Sequence, residues 1–119
     1  MAEASDEHSR RRAAQIKAID HPLRRCILRA FLSEGERLSP VQISRGLAAR
    51  GLTAPLGSVA YQVRVLHRLS AVKPTGERQV RGPVQRFYES TIEDDPPIEA
   101  LLEETREADE MAMGIEKDG

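Results

Sequence analysis

Apolar residues recur every three or four positions through most of the first seventy residues, which is the spacing of one helix face. These stripes predict four helices, over residues 9–19, 22–33, 40–50 and 56–69. The stripe of the second helix is formed by Leu23, Ile27, Ala30 and Phe31. That of the fourth is formed by Val59, Val63, Leu66 and Leu69. Residues 1–8 are polar, carry no stripe and are expected to be disordered.

Two of these helices have clear start signals. Asp20 is a suitable N-cap for the second helix, with Pro22 in its first turn. Ser39, Pro40 and Gln42 form the pattern of a capping box with proline at the first helical position of the third helix. The start of the fourth helix stays open among Thr53, Pro55 and Ser58.

From Ala71 onward the spacing becomes that of extended chain. Segments 72–80 and 84–90 predict two strands around a turn at Arg81 and Gly82, and Pro74 predicts an edge or interrupted strand. Residues 98–112 then predict one last helix, apolar on one side and acidic on the other. We therefore predict a mainly α fold with about five helices and a small β-hairpin, a winged helix-turn-helix over residues 9–90.

The formal net charge of −1 conceals a strong segregation of charge along the chain. Residues 9–90 carry 16 Lys and Arg against 5 Asp and Glu, whereas residues 91–119 carry 2 against 11. Basic side chains neutralise phosphates and release condensed counterions, so such a body is typical of polyanion-binding proteins. A solvated basic surface would have the same charge, and the motifs must decide between the two.

Composition excludes several classes of protein. A chain of 119 residues holds one domain, and no apolar run approaches the roughly 18 residues of a membrane span, so we expect a cytoplasmic protein. The single cysteine, Cys26, excludes an internal disulfide and is expected to be a core residue rather than a redox switch. His8, His21 and His67 lie in different elements, so no metal or cofactor is expected, and no pattern indicates an enzyme.

The order of a capped helix, a short turn, a helix and a basic hairpin points to double-stranded DNA as the partner. A major groove about 12 Å wide accepts one helix, and side chains near its N-terminus read base edges. Within residues 57–68 the predicted base-reading residues are Gly57, Ser58, Tyr61, Gln62 and Arg64. The predicted contacts to the DNA backbone or from the wing are Ser39, Gln42, Arg68, Lys73, Arg78 and Arg81. Arginines on a hairpin edge also serve simply to prevent sheet aggregation.

The runs IDHPLRRCIL, SPVQISRGLA, LGSVAYQVRVLHRL and RQVRGPVQRFYES resemble the ArsR-type winged-helix transcriptional regulators over residues 19–90. The resemblance implies a homodimer joined through its terminal helices and a recognition helix on residues 56–69. Metal-sensing members carry a Cys-x-Cys pair at the start of the third helix, where this chain has SPVQIS, so metal sensing is not expected. We predict a homodimeric repressor of transcription whose effector is unknown.

The acidic segment 91–119 has three interpretations: a dimerisation element, a solvated tail, or an internal mimic of DNA. Its apolar stripe favours the first. Packing against the helix over 9–19 across a twofold axis would place two recognition helices about 34 Å apart. A different functional class also stays open, because a winged helix can serve as a protein–protein adaptor that does not read DNA.

Overall fold

The computed structural model describes residues 2–34, 37–79, 84–92 and 95–114, which form six helices and a two-stranded sheet. The helices are α1 (Ala2–Ala18), α2 (Pro22–Glu34), α3 (Pro40–Ala49), α4 (Leu56–Arg68), α5 (Pro96–Glu104) and α6 (Arg106–Met113). The strands are β1 (Val72–Gln79) and β2 (Val84–Ser90). This is the predicted winged helix-turn-helix, with α3 and α4 as the helix pair and the hairpin as the wing. Within the described ranges, no helix is both long and apolar enough to cross a membrane.

Helix α1 departs from the prediction at both ends. It begins at Ala2, so residues 2–8 are helical rather than disordered. These residues include alanine and glutamate, which are strong helix formers even without an apolar stripe. The stripe predicted farther along does not face the core, because Ala13 is exposed and Ile16 is 51% exposed. Only Ile19, just beyond the helix, is buried.

The opposite side of α1 is tied to the body by polar contacts. Arg12 forms an ion pair with Asp95 before α5. Gln15 Nε2 donates to the carbonyl oxygen of Ser70 at 3.1 Å. Ser70 has a φ of 62°, in the left-handed region that ends many helices, and it turns the chain from α4 into β1. These contacts fix α1 beside the joint between α4 and the wing.

The starts of α2 and α3 are capped by different kinds of side chain. The capping box of α3 is present as predicted: Ser39 Oγ accepts from the Gln42 amide at 3.3 Å, and Gln42 Oε1 accepts from the Ser39 amide at 2.9 Å. The cap of α2 is not Asp20, because Nδ1 of His21, next to Pro22, accepts from the Leu23 amide at 3.1 Å. Burial, then the nearby arginines of α2, lowers the pKa of His21 and so favours the neutral ring that can accept this bond.

The wing is a hairpin with a third short pairing. β1 and β2 are antiparallel, with an irregularity between Pro74 and Gly76. On its other edge β2 pairs with Leu38, since the amides of Leu38 and Tyr88 each donate to the other's carbonyl oxygen at 2.9 Å. β1 is therefore the outer strand, which is where Pro74 is predicted to lie.

One apolar core unites all parts of the fold. Helix α2 contributes Phe31, Ile27 and Leu28, and α3 and α4 contribute Ile43, Leu47, Val59, Val63 and Leu66. The acidic segment supplies Ile98 and Leu102, so its apolar stripe is covered by its own chain. Cys26 is buried in this core as predicted, and burial raises the pKa of its thiol.

The acidic segment forms two helices rather than the one predicted. The break lies at Thr105, whose Oγ1 donates to the Leu101 carbonyl oxygen and accepts from Arg29 Nη2, both at 2.8 Å. A threonine hydroxyl bonded four residues back competes with regular helix geometry. After the break, α6 packs on α2 and brings Asp109 against two arginines.

Asp109 is 3% exposed and neutralises part of the basic body. Its carboxylate accepts from Nε and Nη2 of Arg25 at 2.8 Å each, and from Nη2 of Arg29 at 2.6 Å. At the end of α6, the Thr53 amide donates to the Met113 carbonyl oxygen at 2.7 Å. The segment thus contacts both α2 and the turn that leads into α4.

Candidate nucleic-acid interface

The outward face of α4 is polar, basic and uncovered. Because Val59, Val63 and Leu66 turn into the core, the opposite side of the helix faces solvent. The exposed residues of α4 include Gly57, Ser58, Tyr61, Arg64 and Arg68, together with Leu56 and His67. Four of the five predicted base-reading residues therefore share one surface with Arg68, and the described part of the acidic segment does not cover it.

Tyr61 and Arg64 lie together on this face. Tyr61 is 52% exposed, and the Arg64 guanidinium carbon lies 6.0 Å from the centre of its ring. A guanidinium at this distance from an aromatic ring is attracted by the ring's quadrupole. The N–H groups of the Arg64 guanidinium are thus presented beside the flat ring of Tyr61, an arrangement that suits recognition of a base edge.

Gln62 is placed differently from its predicted partners. Its side chain is half-buried on the flank of α4, and its Oε1 accepts from Arg24 Nη1 at 3.3 Å. Arg24 also donates from Nε to the Ala18 carbonyl oxygen at 2.8 Å. Gln62 thus joins α4 to α2 instead of lying on the outward face.

Gly57 lies where the fold does not need a glycine. A Cβ built at this position meets no other atom within 4 Å, and its φ lies outside the left-handed region. Glycine near the start of an exposed helix costs roughly 0.5–1 kcal/mol relative to alanine. The residue therefore fits close approach of a ligand to the helix backbone.

Gly57→Ala separates stability from binding. We expect the free energy of unfolding to rise by roughly 0.5–1 kcal/mol, because alanine is the better helix former. Affinity for duplex DNA is expected to fall, because the added methyl group enters the space next to the helix backbone. Urea unfolding and fluorescence anisotropy check the two effects, and a stabilised variant with unchanged affinity would remove Gly57 from the interface.

The predicted backbone contacts are distributed unevenly. Ser39 is 1% exposed and its hydroxyl is used in the α3 cap, so it cannot also bind a phosphate without breaking that cap. Gln42 is exposed but shares the same capping box. Lys73 is exposed and pairs with Glu89 at 3.1 Å. The side chain of Arg78 and the whole of Arg81 lie outside the described residues.

The sequence prediction left out two arginines that the fold makes available. Arg86 on β2 is exposed on the wing, although it pairs with Glu77 at 3.3 Å. Arg45 is exposed on the outer side of α3. Alternation along β2 places Arg86 on one sheet face with Tyr88, and this period of two was the signal that could have identified it.

The described residues bring no three His, Cys, Asp or Glu side chains together in a group that could hold a metal ion. Among the described residues, four arginines of the body are paired within the chain: Arg12, Arg24, Arg25 and Arg29. Arg64 and Arg68 on α4 and Arg86 on the wing are exposed, as are Arg10 and Arg11 on α1 and Arg45 on α3.

Comparison with known proteins leaves the family open. No protein-family model and no curated protein matches the chain. A solved structure described as "Structure of Prokaryotic Transcription Factors" is similar at 19% sequence identity and a TM-score of 0.46, covering 80% of this chain and 85% of that chain. A likeness at this level does not bear on what this chain binds.

Proposed function

We propose that the protein is a regulator of transcription that binds double-stranded DNA in a sequence-specific manner, as a homodimeric repressor. The observation that carries the proposal is the bare outward face of α4, where Ser58, Tyr61, Arg64 and Arg68 lie exposed beside a basic wing. A single helix fits the major groove, and the wing then lies over the neighbouring strand. The resemblance to ArsR-type regulators agrees with this reading and remains a prediction.

The test of DNA binding is its salt dependence. Each phosphate neutralised by the protein contributes a slope of about −0.9 in a plot of log affinity against log salt concentration. We expect a slope corresponding to several phosphates when the full chain is titrated with duplex DNA between about 50 and 200 mM salt.

A protein–protein adaptor is the second candidate, since Leu56 and Tyr61 place apolar surface on the same face of α4. Leu56 is 47% exposed, and an exposed apolar residue beside Tyr61 would suit a protein partner. An adaptor would bind duplex DNA weakly or without a preferred sequence. Absence of saturable duplex binding at the lowest salt concentration would favour the adaptor over the proposed function.

The proposed homodimer draws on the uncovered apolar residues of the terminal helices. Ala13 and Ile16 face solvent on α1, and Met111 is exposed on α6. A dimer formed through these helices would cover them and would present two α4 helices to one side of a duplex. Removal of residues 91–119 cannot test this, because Ile98 and Leu102 belong to the core.

Ile16→Glu is the sharper test of the dimer. The new charge would be buried in the proposed interface, so we expect the variant to be a folded monomer with wild-type helical content. Lys17→Gln, at a neighbouring exposed position of α1, is the matched control and should remain dimeric. Light scattering decides, and either a monomeric wild-type protein or a dimeric Ile16→Glu variant would contradict the assignment.

A further inference from the structure

A cleft of about 400 Å³ opens between the recognition helix and the wing. It is lined by Tyr61, Arg64, His67 and Arg68 of α4 and by Arg86 and Tyr88 of β2. Of the described residues that line it, three are arginines and none is acidic, although Glu77 pairs with Arg86 beside the cleft. Such a lining favours an anion, and its aromatic rings favour an anion attached to a flat or apolar group.

The two walls of the cleft are held in place by packing. The rings of His67 and Tyr88 lie 6.2 Å apart at an angle of 59°, which joins α4 to β2 at the base of the cleft. Tyr88 is itself buried, and both its amide and its carbonyl oxygen are hydrogen-bonded to the backbone of Leu38. Arg68 and Arg86 therefore project from fixed elements, so a ligand between them would meet a preformed pair of cations.

The arginines that face the cleft are available for a ligand. Arg68 is exposed, and its side chain makes no hydrogen bond or ion pair with the described residues. Arg86 pairs with Glu77, and both side chains of that pair are more than half exposed. An exposed pair of this kind contributes little to stability, so a phosphate can replace the carboxylate at small cost. Arg64, which also lines the cleft, lies against the ring of Tyr61.

We propose that one phosphodiester of a DNA strand lies in this cleft and is held by both Arg68 and Arg86. The proposal rests on the proposed function. It adds Arg86 as a phosphate-binding residue and places the DNA strand between α4 and the wing. A phosphate held from two elements fixes the protein's orientation on the duplex without reading sequence. Arg64, on the adjacent turn of α4, is then directed at a base rather than at the strand.

The salt dependence of DNA binding distinguishes a shared phosphate from two separate ones. In the full chain, Arg68→Gln and Arg86→Gln should each reduce the salt slope by less than one phosphate equivalent, because the remaining arginine still neutralises the phosphate. The double variant should lose about one equivalent, because both side chains serve the same phosphate. Arg106→Gln, which removes an exposed arginine of α6, is the charge-matched control and should leave the slope unchanged.

Each result has a defined meaning. Loss of about two equivalents in the double variant, or an unchanged slope in the double variant, overturns the shared phosphate while the wild-type slope still supports DNA binding. A wild-type protein without salt-dependent duplex binding overturns the proposed function instead. Deoxyadenosine monophosphate is the probe for a free nucleotide, and saturable binding that requires Arg86, together with unchanged DNA slopes, would replace the strand with a small ligand.

Discussion

Replacing Asp109 with alanine is expected to lower the free energy of unfolding by about 3–5 kcal/mol. The change would leave Arg25 and Arg29 without their shared carboxylate at a site where Asp109 is almost completely buried. A buried cation at Arg29 and a partly buried one at Arg25, both uncompensated, cost more than the removed contacts themselves. Urea unfolding followed by circular dichroism measures the loss.

Two further variants make the Asp109 result interpretable. Glu107→Ala removes an exposed acid from the same helix, and we expect its effect to stay within about 0.5 kcal/mol. Asp109→Asn keeps the shape of the side chain and should fold even if the alanine variant does not. Equal stability of the Asp109→Asn variant and the wild-type protein would show that the paired charge does not hold α6 on α2.

The same carboxylate predicts a pH dependence. Burial alone would raise the pKa of Asp109, but hydrogen bonds and charge from Arg25 and Arg29 outweigh it and lower the pKa from 3.8 to about 2. Because this pKa is lower in the folded state, the contribution of Asp109 to the free energy of unfolding is fully present above its pKa in the unfolded state. That contribution is lost as the pH falls toward 2. The stability gap between wild type and Asp109→Asn should therefore narrow by roughly 2 kcal/mol between about pH 5 and pH 2. A constant gap over this range would contradict the pairing.

Arg64→Ala is expected to weaken binding to the preferred duplex by about 1–3 kcal/mol, which is roughly a five- to 150-fold loss of affinity. The loss should be confined to one base-pair position, because a guanidinium that reads a base edge contributes nothing when that base is changed. Anisotropy titrations with the preferred duplex and single-position variants check this. A uniform loss across all sequences would reassign Arg64 to a phosphate.

Gln62→Ala is the informative comparison on the same helix. The Gln62 side chain is half-buried and accepts from Arg24, whereas Arg64 is exposed beside Tyr61. We therefore expect a smaller change of base preference for Gln62→Ala than for Arg64→Ala. A larger change would mean that the Arg24 contact opens on binding DNA.

Local signals in the sequence were sufficient to predict most of the helices and strands. The capping box at Ser39 and Gln42 marks the start of α3, and the change of period after Ala71 marks the wing to within one residue. Both signals act over neighbouring residues, where backbone geometry and side-chain chemistry dominate. The outward face of α4 followed in the same way, because the core face of a regular helix fixes the opposite face.

Contacts between distant residues could not be predicted in this way. Asp109 meets Arg25 and Arg29 across about eighty residues, and nothing in its own acidic neighbourhood distinguishes it from the exposed Glu107. For the same reason the apolar stripe of residues 98–112 was interpreted as a dimer surface, although Ile98 and Leu102 are buried in their own chain. On α1, by contrast, Ile16 is 51% exposed.

Selection of bound sequences from a random duplex library by the full-length protein tests the central claim, that the outward face of α4 reads DNA sequence. We expect enrichment of a twofold-symmetric motif with half-sites about 10 base pairs apart. With Arg64→Ala, we expect loss of base preference at one position of each half-site. A recovered pool that stays random, or a motif that Arg64→Ala leaves unaltered, would contradict it.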